Sequence, residues 1–135
     1  MRTAQRKSRW RLAAAAVVIG IAVVAIDSLT FSLLTGRPLS FSSDVEPVNV
    51  VIVAIPYLIL AALSIRQILP WLVGLAMTLS LWGYSLYGGV TYQWNPDGRG
   101  ADIGMGIIML FSPSFITGTV LGVYFLQKRA SQPRN

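Results

Sequence analysis

Apolar residues fall along this chain in four long blocks separated by short polar intervals. The first runs from Leu12 to Leu34 and is interrupted by Asp27. The second runs from Val48 to Ile65, the third from Trp71 to Trp94 and the fourth from Ile103 to Leu126. A helix rises about 1.5 Å per residue, so the second block covers about 27 Å and the third and fourth about 36 Å each. The hydrocarbon core of a bilayer is about 30 Å thick. Each block therefore predicts a transmembrane helix. The second is a tight fit, while the third and fourth can tilt or extend into the head groups.

The residues between blocks punctuate helices at these limits. Pro47 suits the first turn of the second helix, where its missing N–H costs nothing, and Asp44 and Glu46 sit near that dipole-positive end. Pro70 starts the third helix in the same way. Only Arg66-Gln67-Ile68-Leu69 separates blocks two and three, which predicts an antiparallel hairpin. Pro96 ends the third helix and Asp102 is placed to cap the fourth. The longest polar connection, Gly36 to Glu46, is too short for a soluble domain, and there is no internal repeat. The expected fold is an all-α integral membrane protein. It is a single domain, 1–135, forming a compact four-helix up-down bundle with basic tails 1–11 and 127–135.

Charge sets the expected orientation. Arg2, Arg6, Lys7, Arg9, Arg11, Arg66, Lys128, Arg129 and Arg134 fall on one side, and Arg37 and Arg99 on the other, nine against two. Basic residues flanking spans stay in the cytoplasm, so both termini are predicted to be cytoplasmic. Trp10, Trp71 and Tyr124 mark the inner boundary, and Tyr92 and Trp94 the outer one. A rival pattern overlaps the first block. Residues 1–25 have the basic start and apolar centre of a secretory signal, with Val23-Val24-Ala25 as its cleavage candidate. Cleavage there would leave three spans.

Composition strengthens the membrane reading. The chain is 54% hydrophobic and 12% charged, with a mean hydropathy of +0.62, whereas soluble domains carry about 25% charged residues. With no Cys and no His, thiol chemistry, disulfides, zinc fingers, histidine-ligated haem and His-based catalytic arrangements are excluded. No metal or cofactor is expected. The net charge of +6 gathers at the chain ends, beside apolar runs and without interleaved stacking aromatics, so the expected partner is a lipid bilayer rather than nucleic acid. Arg2, Arg6, Lys7, Arg9, Arg11, Lys128 and Arg129 are expected to contact anionic head groups.

Four features are candidates for more than packing. Asn95, Asp97 and Asp102 in Trp94–Gly104 suggest a calcium loop. Arg99 and Gly106 then occupy positions where an EF-hand needs oxygen ligands, so a turn, with at most a weak divalent-cation contact, is expected. Asp27 is an ionisable residue within a span, which is a functional hypothesis by default. It lies about 24 Å along the helix from Arg11, near outer head-group water, where a structural role is the plainer account. Ser80, Tyr84, Tyr87 and Thr91 share one face of the third helix. They are expected to glue helices together, or to line an outward cleft in which Tyr84 or Tyr87 reaches Asp27. On the fourth helix Gly104, Phe111, Phe115, Gly118 and Gly122 share a face, with Gly118 and Gly122 in a small-xxx-small spacing. This face is expected to pack against protein, so that leucine at Gly118 or Gly122 costs more than leucine at Val120 on another face. Pro113, between Ser112 and Ser114, predicts a kink.

No enzyme is expected, because nothing assembles a nucleophile or an acid–base pair. The leading expectation is a small multi-pass protein of a bacterial cytoplasmic membrane that acts by helix–helix contact, as an accessory subunit, complex stabiliser or homo-oligomer. In size and span count the chain is similar to the small multidrug resistance transporters. That resemblance implies the alternative, a transporter coupled through Asp27. Those transporters carry a Glu in the first span. The first span here has no Glu, and Asp27 comes late in it.

Overall fold

The computed structural model describes residues 2–38, 46–94 and 103–132. Four helices account for nearly all of them: α1 (Arg2–Thr35), α2 (Pro47–Ala62), α3 (Ile68–Trp94) and α4 (Ile103–Ala130). Three are long and apolar enough to cross a membrane, over Arg9–Thr35, Ile68–Thr91 and Gly106–Ala130. The fourth, α2, is shorter at 16 residues, or about 24 Å.

The helix ends differ from the sequence expectation for identifiable reasons. Helix α1 takes in the basic N-terminal segment, because no Gly or Pro between Arg2 and Arg11 stops it. Helix α4 continues through Lys128 and Arg129, cations that suit the dipole-negative last turn. Helix α2 stops at Ala62 rather than Ile65. Ser64 turns left-handed with φ 57°, the Ile65 amide donates to the Leu60 carbonyl at 2.9 Å and the Ser64 amide to Ala61 at 2.9 Å. This is a Schellman ending, and Ile65 and Leu60 supply its usual apolar contact. At the far end of α1, Gly36 adopts φ 68° and reverses the chain.

Contacts fix the directions of the helices. Arg9, early in α1, reaches Ala62 and Ser64 at the end of α2, so these two helices are antiparallel. Phe31, late in α1, lies on Gly89, late in α3, so those two are parallel. Gly74, early in α3, meets Val120, late in α4, so this pair is antiparallel again. Around the bundle the order is α1, α2, α4, α3. The most extensive contact is between α1 and α2. The contact between α2 and α3 is slight by comparison, although only five residues join them. The short link does give an antiparallel pair, but the pair lies across a diagonal, with the Tyr57 and Trp71 rings between (centroids 5.9 Å apart).

Two apolar layers fill the interior. One comprises Ala16, Val23, Val24, Val53, Tyr57 and Trp82, and the other Leu60, Ile65, Ile116 and Val120. One buried polar chain runs through them. The Tyr57 and Thr78 hydroxyls are 2.8 Å apart, and Thr78 donates to the Gly74 carbonyl at 2.9 Å. Thr78 therefore accepts from Tyr57, and both hydroxyls are satisfied, as burial demands. Helix α4 continues through Pro113. That proline cannot donate to the carbonyl four residues back, on Met109, and the Ser112 hydroxyl donates to it instead at 2.7 Å.

Candidate functional site

Several polar residues from three parts of the chain converge at the end where α1 finishes and α2 begins. A cleft of about 420 Å³ opens there. Helix α1 supplies Asp27, Ser28, Phe31 and Ser32, the start of α2 supplies Glu46 and Asn49, and α3 supplies Ser85 and Gly89. Helical spacing explains the convergence. Asp27 follows Val23 by four positions, Ser85 follows Trp82 by three and Asn49 precedes Val53 by four. Each polar residue thus sits one turn beyond a core residue on the same face. One turn deeper, Val23, Val53 and Trp82 belong to an apolar layer of the core.

Asp27 is half-buried in this wall. Among the described residues, no hydrogen bond or ion pair engages its carboxylate. Arg37 lines the same cleft and has an interaction of its own. Its backbone carbonyl accepts from the Ser32 hydroxyl, which ties the reversal after α1 to the helix. The Phe31 ring rests on Gly89, where a β-carbon would lie 3.4 Å from the ring edge.

The cleft does not use the tyrosines that the sequence suggested. Tyr84 is 58% and Tyr87 70% exposed, on the outer side of α3. Ser80 and Thr91 share that outward face and bond to their own helix, at the carbonyls of Ala76 and Tyr87. The stripe is real as a helical face but points away from Asp27. Ser85, one position from Tyr84, lines the cleft with Asp27 instead. The sequence did not single out Asn49, and it marked Glu46 only as an acidic residue at the start of the second helix. The available signal was that both lie within one turn of the Pro47 helix start, where the chain must return to the end of α1.

Within the single chain Gly118 and Gly122 of the α4 face meet no neighbour, and the expected protein contact there could come only from another chain. Phe111 and Phe115 are exposed, and a β-carbon at Gly118 or Gly122 would meet nothing within 4 Å. Gly104 belongs to the first turn of this helix. Val120, expected as an indifferent control, is fully buried and packs over Gly74. A rotation of about 100° per residue separates the two faces, and the intrachain contact falls on the Val120 side.

Of the basic residues expected at head groups, Arg9, Arg11, Lys128 and Arg129 are exposed. Arg9 also has an internal role. Its Nε donates to the Ser64 hydroxyl at 2.8 Å and its guanidinium to the Ala62 carbonyl at 2.9 Å, placing a cation on the dipole-negative end of α2. The side chains of Arg2, Arg6 and Lys7 lie outside the described residues, as does the loop holding Asn95, Asp97 and Asp102. Among the described residues, no group of three or more His, Cys, Asp or Glu could hold a metal ion. Compared with known proteins, the chain matches no family model, no curated protein and no solved structure.

Proposed function

We propose that this is a four-span protein of a bacterial cytoplasmic membrane that acts without catalysis, through lateral helix–helix contact. It would serve as an accessory subunit, a stabiliser of a larger complex or a homo-oligomer, with both termini cytoplasmic. One observation carries the reading. Below the polar cleft the bundle is filled by residues such as Val24, Tyr57, Leu60 and Val120, each under 2% exposed. A solid interior favours a role for the outer faces. The docking of Val23 and Val24 in the core supports retention of the first helix over cleavage beside it. The nine-to-two bias of Lys and Arg supports the orientation.

Extraction in a gentle detergent, followed by mass determination and identification of co-purifying chains, tests this role. A stoichiometric partner or a defined oligomer is the expected result, and a monomer without partners removes it. Single cysteines at Gly98 and Ser131 test the orientation, since the chain has no native Cys. Only the former should react with an impermeant reagent outside intact cells.

A second reading, transport coupled through Asp27, is supported by the cleft around that carboxylate. It requires that Asp27→Asn abolish proton-coupled solute movement in vesicles while the protein stays folded. An unchanged flux would remove it.

A further inference from the structure

We infer that the cleft at the head of α1 and α2 is a binding site for a small organic ammonium ion. The inference concerns the cleft used by the transport reading but needs only binding, not movement across the membrane.

Four properties of the wall point to that chemistry. Volume comes first: about 420 Å³ lies within the range of small-molecule sites, about 300–1,000 Å³, and far exceeds the room a bare metal ion needs. Charge comes second. Among the described lining residues Asp27 and Glu46 are set against Arg37, a net negative balance. Third, an aromatic surface accompanies the carboxylates. Phe31 follows Asp27 by four positions on one helix face and is held in place on Gly89. A ring beside a carboxylate suits a cation with carbon substituents, through attraction to the π system. Fourth, Asn49 and Ser85 add neutral hydrogen-bonding groups that can orient a hydroxyl or amide on the same ligand.

The position fits as well. Asp27 is half-buried in the cleft wall, and its carboxylate is unengaged among the described residues. One turn deeper the apolar core layer of Val23, Val53 and Trp82 fills the interior, so a ligand would enter and leave by the same mouth. A divalent metal is a poorer match, because no set of three ligating side chains gathers among the described residues and oxygen-seeking cations take six or more ligands.

The test uses the purified full chain in detergent, with radiolabelled choline as the probe in equilibrium dialysis. The competitors are choline's uncharged carbon isostere, in which a quaternary carbon replaces the nitrogen, and magnesium chloride. Saturable binding is expected, displaced by unlabelled choline and by neither competitor at equal concentration. Asp27→Asn should weaken it on the order of tenfold or more, and Phe31→Leu and Glu46→Gln by smaller factors. Thermal unfolding of each variant identifies any that fail to fold. Glu46 is exposed, so Glu46→Gln keeps the test alive should Asp27→Asn misfold. Three results would overturn the inference: no saturable binding up to about 10 mM, equal competition by the isostere, or displacement by magnesium. Partner capture and oligomer mass are separate measurements, so failure here leaves the contact role standing, and failure there leaves binding standing.

Discussion

Two glycine-bearing helix faces in this protein look alike in sequence and differ in structure. On α1, Ala16 and Gly20 are four apart, both buried, and α2 presses onto them. A β-carbon at Gly20 would lie 2.8 Å from the Val50 carbonyl oxygen and 3.2 Å from Ala54 Cβ. On α4, Gly118 and Gly122 have the same spacing, yet a β-carbon at either meets nothing within 4 Å. Small residues four apart permit close approach of helix backbones. They do not say whether a helix of the same chain takes up the offer. That depends on the opposite partner, and α1 has one in α2, whose buried side carries Val53, Ala54 and Tyr57.

Replacing the Gly20 hydrogen is the sharpest way to break this contrast. Gly20→Leu must push α2 off α1, because the obstructing atom belongs to the backbone and cannot rotate aside. A loss of about 3 kcal/mol is expected, the upper end for overpacking, with Gly20→Ala losing about 1–2 kcal/mol. Thermal or denaturant unfolding in detergent reads both. If Gly20→Leu unfolds at the wild-type midpoint, the close α1–α2 approach is wrong, and with it the bundle order.

Next in size is the buried hydroxyl chain between α2 and α3. Thr78→Val removes the acceptor for Tyr57 and leaves a buried phenol unpaired, at a cost of about 1–3 kcal/mol. Tyr57→Phe removes one donor and leaves Thr78 still bonded to Gly74, which should cost about 1 kcal/mol. The double variant should cost less than the sum of the two single changes, because both remove the same bond. Strict additivity would mean that the two hydroxyls do not meet.

A smaller effect belongs to the opposite end of the molecule. Arg9→Ala loses the cap on α2, and since the residue is exposed, about 0.5 kcal/mol is expected. Arg9→Lys should recover only part of it, because one ammonium does not reproduce the two directions in which the guanidinium donates to Ser64 and Ala62. Equal stability of the wild type and both variants would return Arg9 to a purely head-group role.

The helical elements were readable because block length, flanking Pro and Lys/Arg position depend on local sequence and on the bilayer. The Pro47 start and the antiparallel link after Ala62 follow from such local signals. What faces what depends on rotation about each helix axis, and uniformly apolar helices carry little information on that. Tyr84 was the natural partner for Asp27 by chemistry, while Ser85 is the residue that the rotation of α3 brings round. Asn49 and Glu46 join the cleft through the return of α2 along α1. Arg9 was assigned to lipid by its charge alone, and the left-handed Ser64 that receives it has no sequence signature comparable to a glycine. Ala16 and Gly20 did carry the small-xxx-small spacing, but so did Gly118 and Gly122, and spacing alone could not rank them.

The smallest expected effect is the one that decides what covers α4. For the isolated chain, Gly118→Leu and Gly122→Leu should change stability by no more than about 0.5 kcal/mol, since both positions open outward and leucine there adds no clash. Val120→Ala is the proper contrast. Val120 is fully buried, packed over Gly74 and in one layer with Leu60 and Ile116, and its truncation should cost about 1–2 kcal/mol through lost burial. The informative readout for the glycine variants is mass by light scattering rather than melting temperature. If a second protein normally lies on Gly118 and Gly122, leucine removes the close backbone approach that holds it. The particle mass then falls while each chain remains as stable as before. If lipid covers this face, mass and stability both stay unchanged, because acyl chains fit around leucine as readily as around glycine. A fall in stability at constant mass would contradict the open face itself, since only a contact within the chain could produce it.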